Sequence, residues 1–226
     1  VYEAVLQLGR VTDTQDTTGE TLEERAVTVT ADDMRAALPR FLGEIEQIPP
    51  MYSAIKVNGQ KLYDLARQGR EVARKPRMIT IFDLALTQNL GNGQYALRVV
   101  CSKGTYIRTL CNDIGESLNV GGCMSSLRRI RAGEFSVDDA HSIEDVQRAK
   151  EAGDVESLLI PVDSLFSCAE EYTVSGGSER KLRCGNDFSC AVSDGEYRVY
   201  SHAGEFLALC RAANGRMKTI KSFFEV

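Results

Sequence analysis

The stretch "MITIFDLALTQNLGNGQYALRVVCS", residues 78–102, restricts the fold more than any other part of the chain. Its two halves alternate apolar and polar positions, with β-branched and aromatic side chains on both sides of Gly91-Asn92-Gly93. A strand with one buried face needs that period of two. A tight hairpin needs the positive φ that such a turn supplies. The halves are therefore expected to pair as antiparallel strands. The chain does not continue as a third strand. Leu97, Val99, Val100 and Cys101 stop at Ser102-Lys103-Gly104-Thr105, and then Ile107, Leu110, Cys111, Ile114 and Leu118 recur at helical spacing. A helix over about 105–119 would lay that stripe on the sheet, which predicts an α+β fold with a mixed, mostly antiparallel sheet flanked by helices.

Tyr106 and Arg108 fall at the start of this helix, with Arg108 off the apolar stripe. Taken as residues alone, two readings stay open. The tyrosine is half buried and the arginine pairs with a surface acid, or a ring and a fork of donors enter a cleft where one stacks on a base and the other holds a carboxylate.

Elsewhere, Val5, Leu6 and Leu8 mark a strand ending at Gly9, followed by the polar loop "VTDTQDTTGE". "LEERAVTVT" reads as a second strand, and Thr30 with Asp33 forms a capping box for a helix over 31–42. Pro49-Pro50, a strand, an Asn58-Gly59 turn and a short helix with Leu62, Leu65 and Ala66 on one face come next. "SSLRRIRAGEFSV" is extended, Ser142 with Asp145 caps a further helix, and "EAGD" reads as a linker. Beyond Pro161 short strands with glycines at 176, 177, 185, 195, 204 and 215 suit a small barrel or sandwich.

Charge is unevenly spread. The net charge is −5, and residues 1–46 hold ten acids and four bases. Residues 56–77 hold seven bases (Lys56, Lys61, Arg67, Arg70, Arg74, Lys75, Arg77) against Asp64 and Glu71. Lys103, Arg108, Arg128, Arg129 and Arg131 form a second basic group. Composition alone leaves a solvated face and RNA binding both open. No apolar run approaches the roughly 18 residues of a membrane span, so a soluble protein is expected. Seven cysteines without a C-x-x-C pair, and two histidines, argue against a disulfide framework or zinc site and for a reducing cytosol. The first residues, "VYEAVLQLG", start inside an alternating strand without a methionine, as a cut through a fold would.

Four blocks, "VYEAVLQLGRVTDTQDTTGE", "IPPMYSAIKVNGQKLYDLARQGREV", "VVCSKGTYIRTLCNDIGESL" and "LRRIRAGEF", together resemble the bacterial tRNA pseudouridine synthases of the TruB family. The resemblance is dense over 1–145, while "RKLRCGNDF" and "GEFLALCRAANGRMKTIKSFFEV" are similar to that family's small PUA-type barrel. It implies a catalytic domain over 1–158, with an RNA-clamping insertion at about 47–78, and a PUA-like RNA-binding β-barrel over 159–226. It further implies isomerisation of the T-loop uridine, position 55 of tRNA, with the tRNA T-arm as partner, no cofactor, no metal, a cytoplasmic location and a monomer when complete. By motif, Tyr2 stacks on the flipped uracil, Tyr106 lines its pocket, Leu127 walls it, and Arg108 orients the catalytic aspartate. That aspartate belongs to a G-x-L-D-x-x-A-T-G block which does not occur among these residues, and neither Asp13 and Asp16 in the polar loop nor Asp113 on the helix is assigned in its place. The 226 residues are accordingly expected to be inactive alone and to expose a sheet edge prone to association. Lys56, Lys61, Arg67, Arg70, Lys103, Arg128 and Arg129 are the expected RNA contacts. The competing reading is a non-catalytic module that binds structured RNA; a metal-dependent hydrolase is disfavoured for want of clustered carboxylates and histidines.

Overall fold

The computed structural model of the protein describes residues 1–224. The chain divides into two compact units, Val1–Ala140 and His141 onward. This division comes earlier than the 158/159 boundary that the family resemblance implies, because the helix that starts at Ile143 groups with the chain after it.

In the first unit the order is β1 (Tyr2–Leu8), β2 (Arg10–Thr12), β3 (Thr21–Glu24), α1 (Ala31–Ala37), β4 (Gly43–Gln47), β5 (Lys56–Val57), β6 (Gln60–Lys61), α2 (Leu62–Ala66) and β7 (Arg77–Gly91). There follow β8 (Gln94–Cys101), α3 (Ile107–Ser117), β9 (Gly122–Arg129), β10 (Arg131–Ala132) and β11 (Phe135–Ser136). Five strands make one antiparallel sheet in the order β4-β7-β8-β1-β9. The hairpin β7–β8 closes through Gly91, Asn92 and Gly93, all at positive φ, as the turn chemistry requires. Ala4, Leu6 and Leu8 of β1 and Leu97 and Val99 of β8 point to one face, where Ile107, Leu110, Cys111 and Ile114 of α3 bury their stripe. Gly115 sets how closely α3 approaches β9. A Cβ there would lie 2.4 Å from the carbonyl carbon of Gly121 and the amide nitrogen of Gly122, closer than any side-chain carbon tolerates.

Three local expectations fail for identifiable reasons. The strand expected over "LEERAVTVT" ends at Glu24. Arg25 then bonds back to Gly9 and Val29 accepts from the Tyr95 hydroxyl at 2.7 Å, so the apolar residues of 25–30 are placed without a ladder. The helix over 31–42 keeps its Thr30/Asp33 capping box but gives way after Ala37 to a 3-10 turn, Leu38–Phe41, around Pro39, which lacks the N–H to extend it. Glu151 and Ala152, expected in a linker, finish a helix instead. Strand β4 has no counterpart among the expected elements, although Ile45 and Gln47 alternate inward with exposed Glu44 and Glu46.

The second unit runs α4 (Ile143–Ala152), β12 (Glu170–Val174), α5 (Gly176–Arg183), β13 (Phe188–Ser189), β14 (Gly195–Ser201), β15 (Phe206–Ala213) and β16 (Arg216–Ser222). Its sheet order is β12-β14-β15-β16-β13, antiparallel except for the β12–β14 pair. Val174, Leu182, Phe188, Val199, Leu207 and Met217 form its core.

Candidate active site

Antiparallel pairing alone assembles the aromatic end of the first sheet. Tyr2, at the start of β1, lies opposite Val99 of β8 and Arg129 of β9, and Leu127 lies opposite Ala4. Directly opposed residues share a face. Tyr2, Leu127 and Arg129 therefore stand on the face that carries Ala4 and Leu6, the one α3 covers, whereas Arg128, opposite Glu3, belongs to the reverse face. Strand β8 ends at this same edge and passes through Ser102–Thr105 to Tyr106, the N-cap residue of α3. Tyr2 and Tyr106 are half-buried and Leu127 is 43% exposed, so these groups line an open end of the fold rather than its core.

Arg108 lies in the first turn of α3, two residues after Tyr106, and its partner is Asp16. Its Nη1 donates to Oδ2 of Asp16 at 3.2 Å, with 29% and 17% of the two side chains exposed. Asp16 Oδ1 also accepts from the Thr14 hydroxyl at 3.0 Å, the Thr18 amide at 3.1 Å and the Thr18 hydroxyl. Burial works against the charge, but the bonds from Thr18 and Thr14 and the nearby Arg108 outweigh it and hold the Asp16 carboxyl below its ordinary 3.8. At neutral pH the guanidinium therefore faces a permanent anion.

The loop bearing Asp16 is fixed from two sides. Met124 of β9 donates its amide to the Gln15 carbonyl at 3.0 Å and accepts from the Thr17 amide at 2.9 Å. On the other side the buried Thr109 hydroxyl of α3 donates to Oε1 of Gln15 at 2.7 Å. Gln15 adopts φ 62°, a left-handed conformation uncommon outside glycine, asparagine and aspartate, and these bonds hold it there. The sequence pattern assigns Asp16 no role. The signal available is its flanking threonines, since Thr-x-Asp-x-Thr can cradle a carboxylate locally. Gln15, Thr109 and Gln47 carry no such signal.

The basic segment is built from its own short elements, and its buried Leu62 and Leu65 lie outside the hydrophobic cluster beneath α3. Lys56 is on β5, Lys61 precedes α2, Arg67 caps its end, and Lys56, Arg67 and Arg70 are exposed. Tyr63 organises two of these cations: Lys61 Nζ donates to its hydroxyl at 2.8 Å, and the Arg67 guanidinium lies 5.4 Å from its ring centre. The Tyr52 hydroxyl donates to Asp13 Oδ2 at 3.1 Å, and between segment and loop lies a cleft of about 380 Å³ lined by Gln15, Pro50, Arg70 and Arg74 among others. Lys103 is exposed on the turn before α3, and Arg128 and Arg129 are exposed at the end of β9.

Residues 1–107 match the family model of the TruB family pseudouridylate synthase N-terminal domain, and residues 108–167 match that of the tRNA pseudouridylate synthase B C-terminal domain. The tRNA pseudouridine synthase B of Clostridium perfringens is 42% identical over 233 aligned positions, spanning 100% of this chain and 78% of the relative. The chain belongs to the TruB family. The tRNA pseudouridine synthase B of Alkaliphilus oremlandii is 44% identical over 185 positions, which cover 82% of this chain and 60% of the relative. Among solved structures, a Cbf5–Nop10–Gar1 complex superposes with a TM-score of 0.66 at 21% identity, covering 99% of this chain and 66% of the matched one. An H/ACA ribonucleoprotein bound to a substrate RNA containing 2′-deoxyuridine gives 0.65 at 18%, covering 99% and 65%. These two structures share the fold with this TruB-family chain. Among its described residues no helix is long and apolar enough to cross a membrane.

Proposed function

We propose that this TruB-family protein converts the T-loop uridine of tRNA, position 55, to pseudouridine, with the T-arm gripped by the basic segment 47–78. The observation that carries the reading is the Arg108–Asp16 pair, an ionised couple two residues from Tyr106 and docked at Met124 on β9, the strand that places Leu127 opposite Ala4 and Arg129 opposite Tyr2. The reaction replaces the bond from C1′ to N1 of uracil by one from C1′ to C5; the C5 proton leaves to water and N1 takes up a proton. The base must first be extruded from the folded RNA. Aromatic faces at Tyr2 and Tyr106 replace its lost stacking, worth about 1–3 kcal/mol. Leu127 closes the apolar side.

Guanidinium carries five donors in a fixed fork. With Asp16 on Nη1, Arg108 has donors left to aim a second carboxylate, the aspartate of the G-x-L-D-x-x-A-T-G block, which these 226 residues do not contain. Asp16 in this reading fixes the arginine and the second carboxylate attacks. Within the second unit, the chain from about 159 contributes a PUA-like RNA-binding barrel, and the protein works in the cytoplasm as a monomer.

Tritium release from tRNA carrying [5-³H]uridine tests the reading. Protein that includes the aspartate block is expected to release one tritium per tRNA and none when position 55 is cytidine. The 226-residue chain by itself is expected to release none while still binding tRNA. Turnover by that chain alone would refute the assignment of the nucleophile; binding without turnover by protein that carries the block would leave a non-catalytic RNA-binding module.

A further inference from the structure

Tyr106 is held by its backbone, and the holder is Gln47. The Tyr106 amide donates to Oε1 of Gln47 at 2.8 Å, and Nε2 of Gln47 donates back to the Tyr106 carbonyl at 3.0 Å. The Gln47 residue is 3% exposed, so this reciprocal pair sits away from water. It reproduces with one side chain what a neighbouring strand would offer. Strand β4 ends at Gln47, opposite Arg77 of β7, while β8 leaves the sheet after Cys101. The Gln47 side chain bridges the space between that strand end and the N-cap of α3, fifty-nine residues along the chain. No side chain caps α3 there. Both groups of the amide are used: its oxygen accepts and its NH2 donates from separate atoms, with no proton to lose or gain.

We propose that Gln47 is a positioning residue for the isomerisation: its amide fixes the Tyr106 backbone and thereby the height and tilt of the ring that meets the flipped uracil. This rests on the functional reading above. A ring displaced by about 1 Å still stacks, so substrate affinity is largely kept, but the base no longer meets the attacking carboxylate correctly, an error that costs about 100-fold in rate.

Two variants test this in protein that carries the aspartate block. Gln47→Leu keeps size and burial but removes both bonds. It is expected to lower kcat about 100-fold with KM within about threefold, and to speed hydrogen exchange at the Tyr106 amide about tenfold or more while the amides of Leu97 and Val99 stay protected. Gln47→Glu retains the acceptor always and the donor only when protonated. Burial raises such a carboxylic acid's pKa. Its kcat relative to wild type should therefore climb about tenfold as pH falls from 8 to 6, a recovery that a merely structural role would not produce. Full kcat in Gln47→Leu, or a flat pH ratio for Gln47→Glu, overturns the role of Gln47 while leaving the functional reading standing. A wild-type protein that makes no pseudouridine overturns both, even with the Tyr106 amide protected.

Discussion

The turn that carries Tyr106 and Arg108 and the basic segment 47–78 are built on opposite terms. The first is cross-braced: Gln47 on Tyr106, Thr109 on Gln15, Arg108 on Asp16 and Met124 on the loop between them, each bond at least partly shielded from water. The second has two-residue strands, a five-residue helix that buries Leu62 and Leu65, and one side-chain bond to the polar loop, from Tyr52 to Asp13. Within it the Ser53 hydroxyl and Arg74 Nε are buried without a hydrogen-bond partner among the described residues. Chemistry on a flipped base needs groups fixed to a fraction of an ångström. A grip on phosphates needs charge in roughly the right place and gains from adjusting to its partner. Under the proposed function the difference in bracing matches that difference in task.

The contrast can be broken by experiment. The largest effect is expected from Leu110→Ala beneath the braced turn, where Leu110 is 1% exposed; urea unfolding should show a loss of about 2–5 kcal/mol. Asp16→Ala should follow at about 2 kcal/mol, because it strips the bonds from Thr14, Thr18 and Arg108 and leaves the guanidinium unpaired. The acid dependence gives a second readout of that site. The folded carboxyl lies below its ordinary 3.8, so its stabilisation is complete above that value and fades as pH falls below it. Unfolding curves of Asp16→Ala should lose this part of the acid sensitivity, and an unchanged slope would break the argument.

The basic segment should respond more weakly. Tyr52→Phe is expected to cost about 1 kcal/mol, the net worth of one hydrogen bond, measured by the same unfolding. A larger loss would mean that the segment is as rigidly braced as the turn. Smallest of all for stability is joint replacement of Lys56, Lys61, Arg67 and Arg70 by glutamine, expected within about 0.5 kcal/mol. The same variant should flatten the salt dependence of tRNA binding, since each phosphate that no longer meets a cation lowers the slope of log K against log salt by roughly 0.7–0.9. Unaltered binding would remove the clamp from the proposal.

What can be read from residues is whatever a local period or turn dictates. The hairpin around Asn92, the stripe of α3 and the capping boxes at Thr30 and Ser142 all follow from spacing a few residues wide. The blocks around Tyr2, Tyr106, Arg108 and Leu127 carry the family. Strand β4 escapes such a reading because five residues with a glycine and two glutamates give a weak period, although pairing with β7 decides their conformation. The segment 25–30 misleads for the opposite reason, its valines satisfying a strand pattern that no neighbour completes.

The sequence by itself determined the β7–β8 hairpin, the stripe of α3, the capping boxes and the residue types available for chemistry, because propensity, periodicity and turn geometry act over a handful of bonds. Only the tertiary structure decided which carboxylate Arg108 holds and which side chain steadies Tyr106. Asp16 and Gln47 reach their partners from 92 and 59 residues away, through pairing registers that no local pattern encodes.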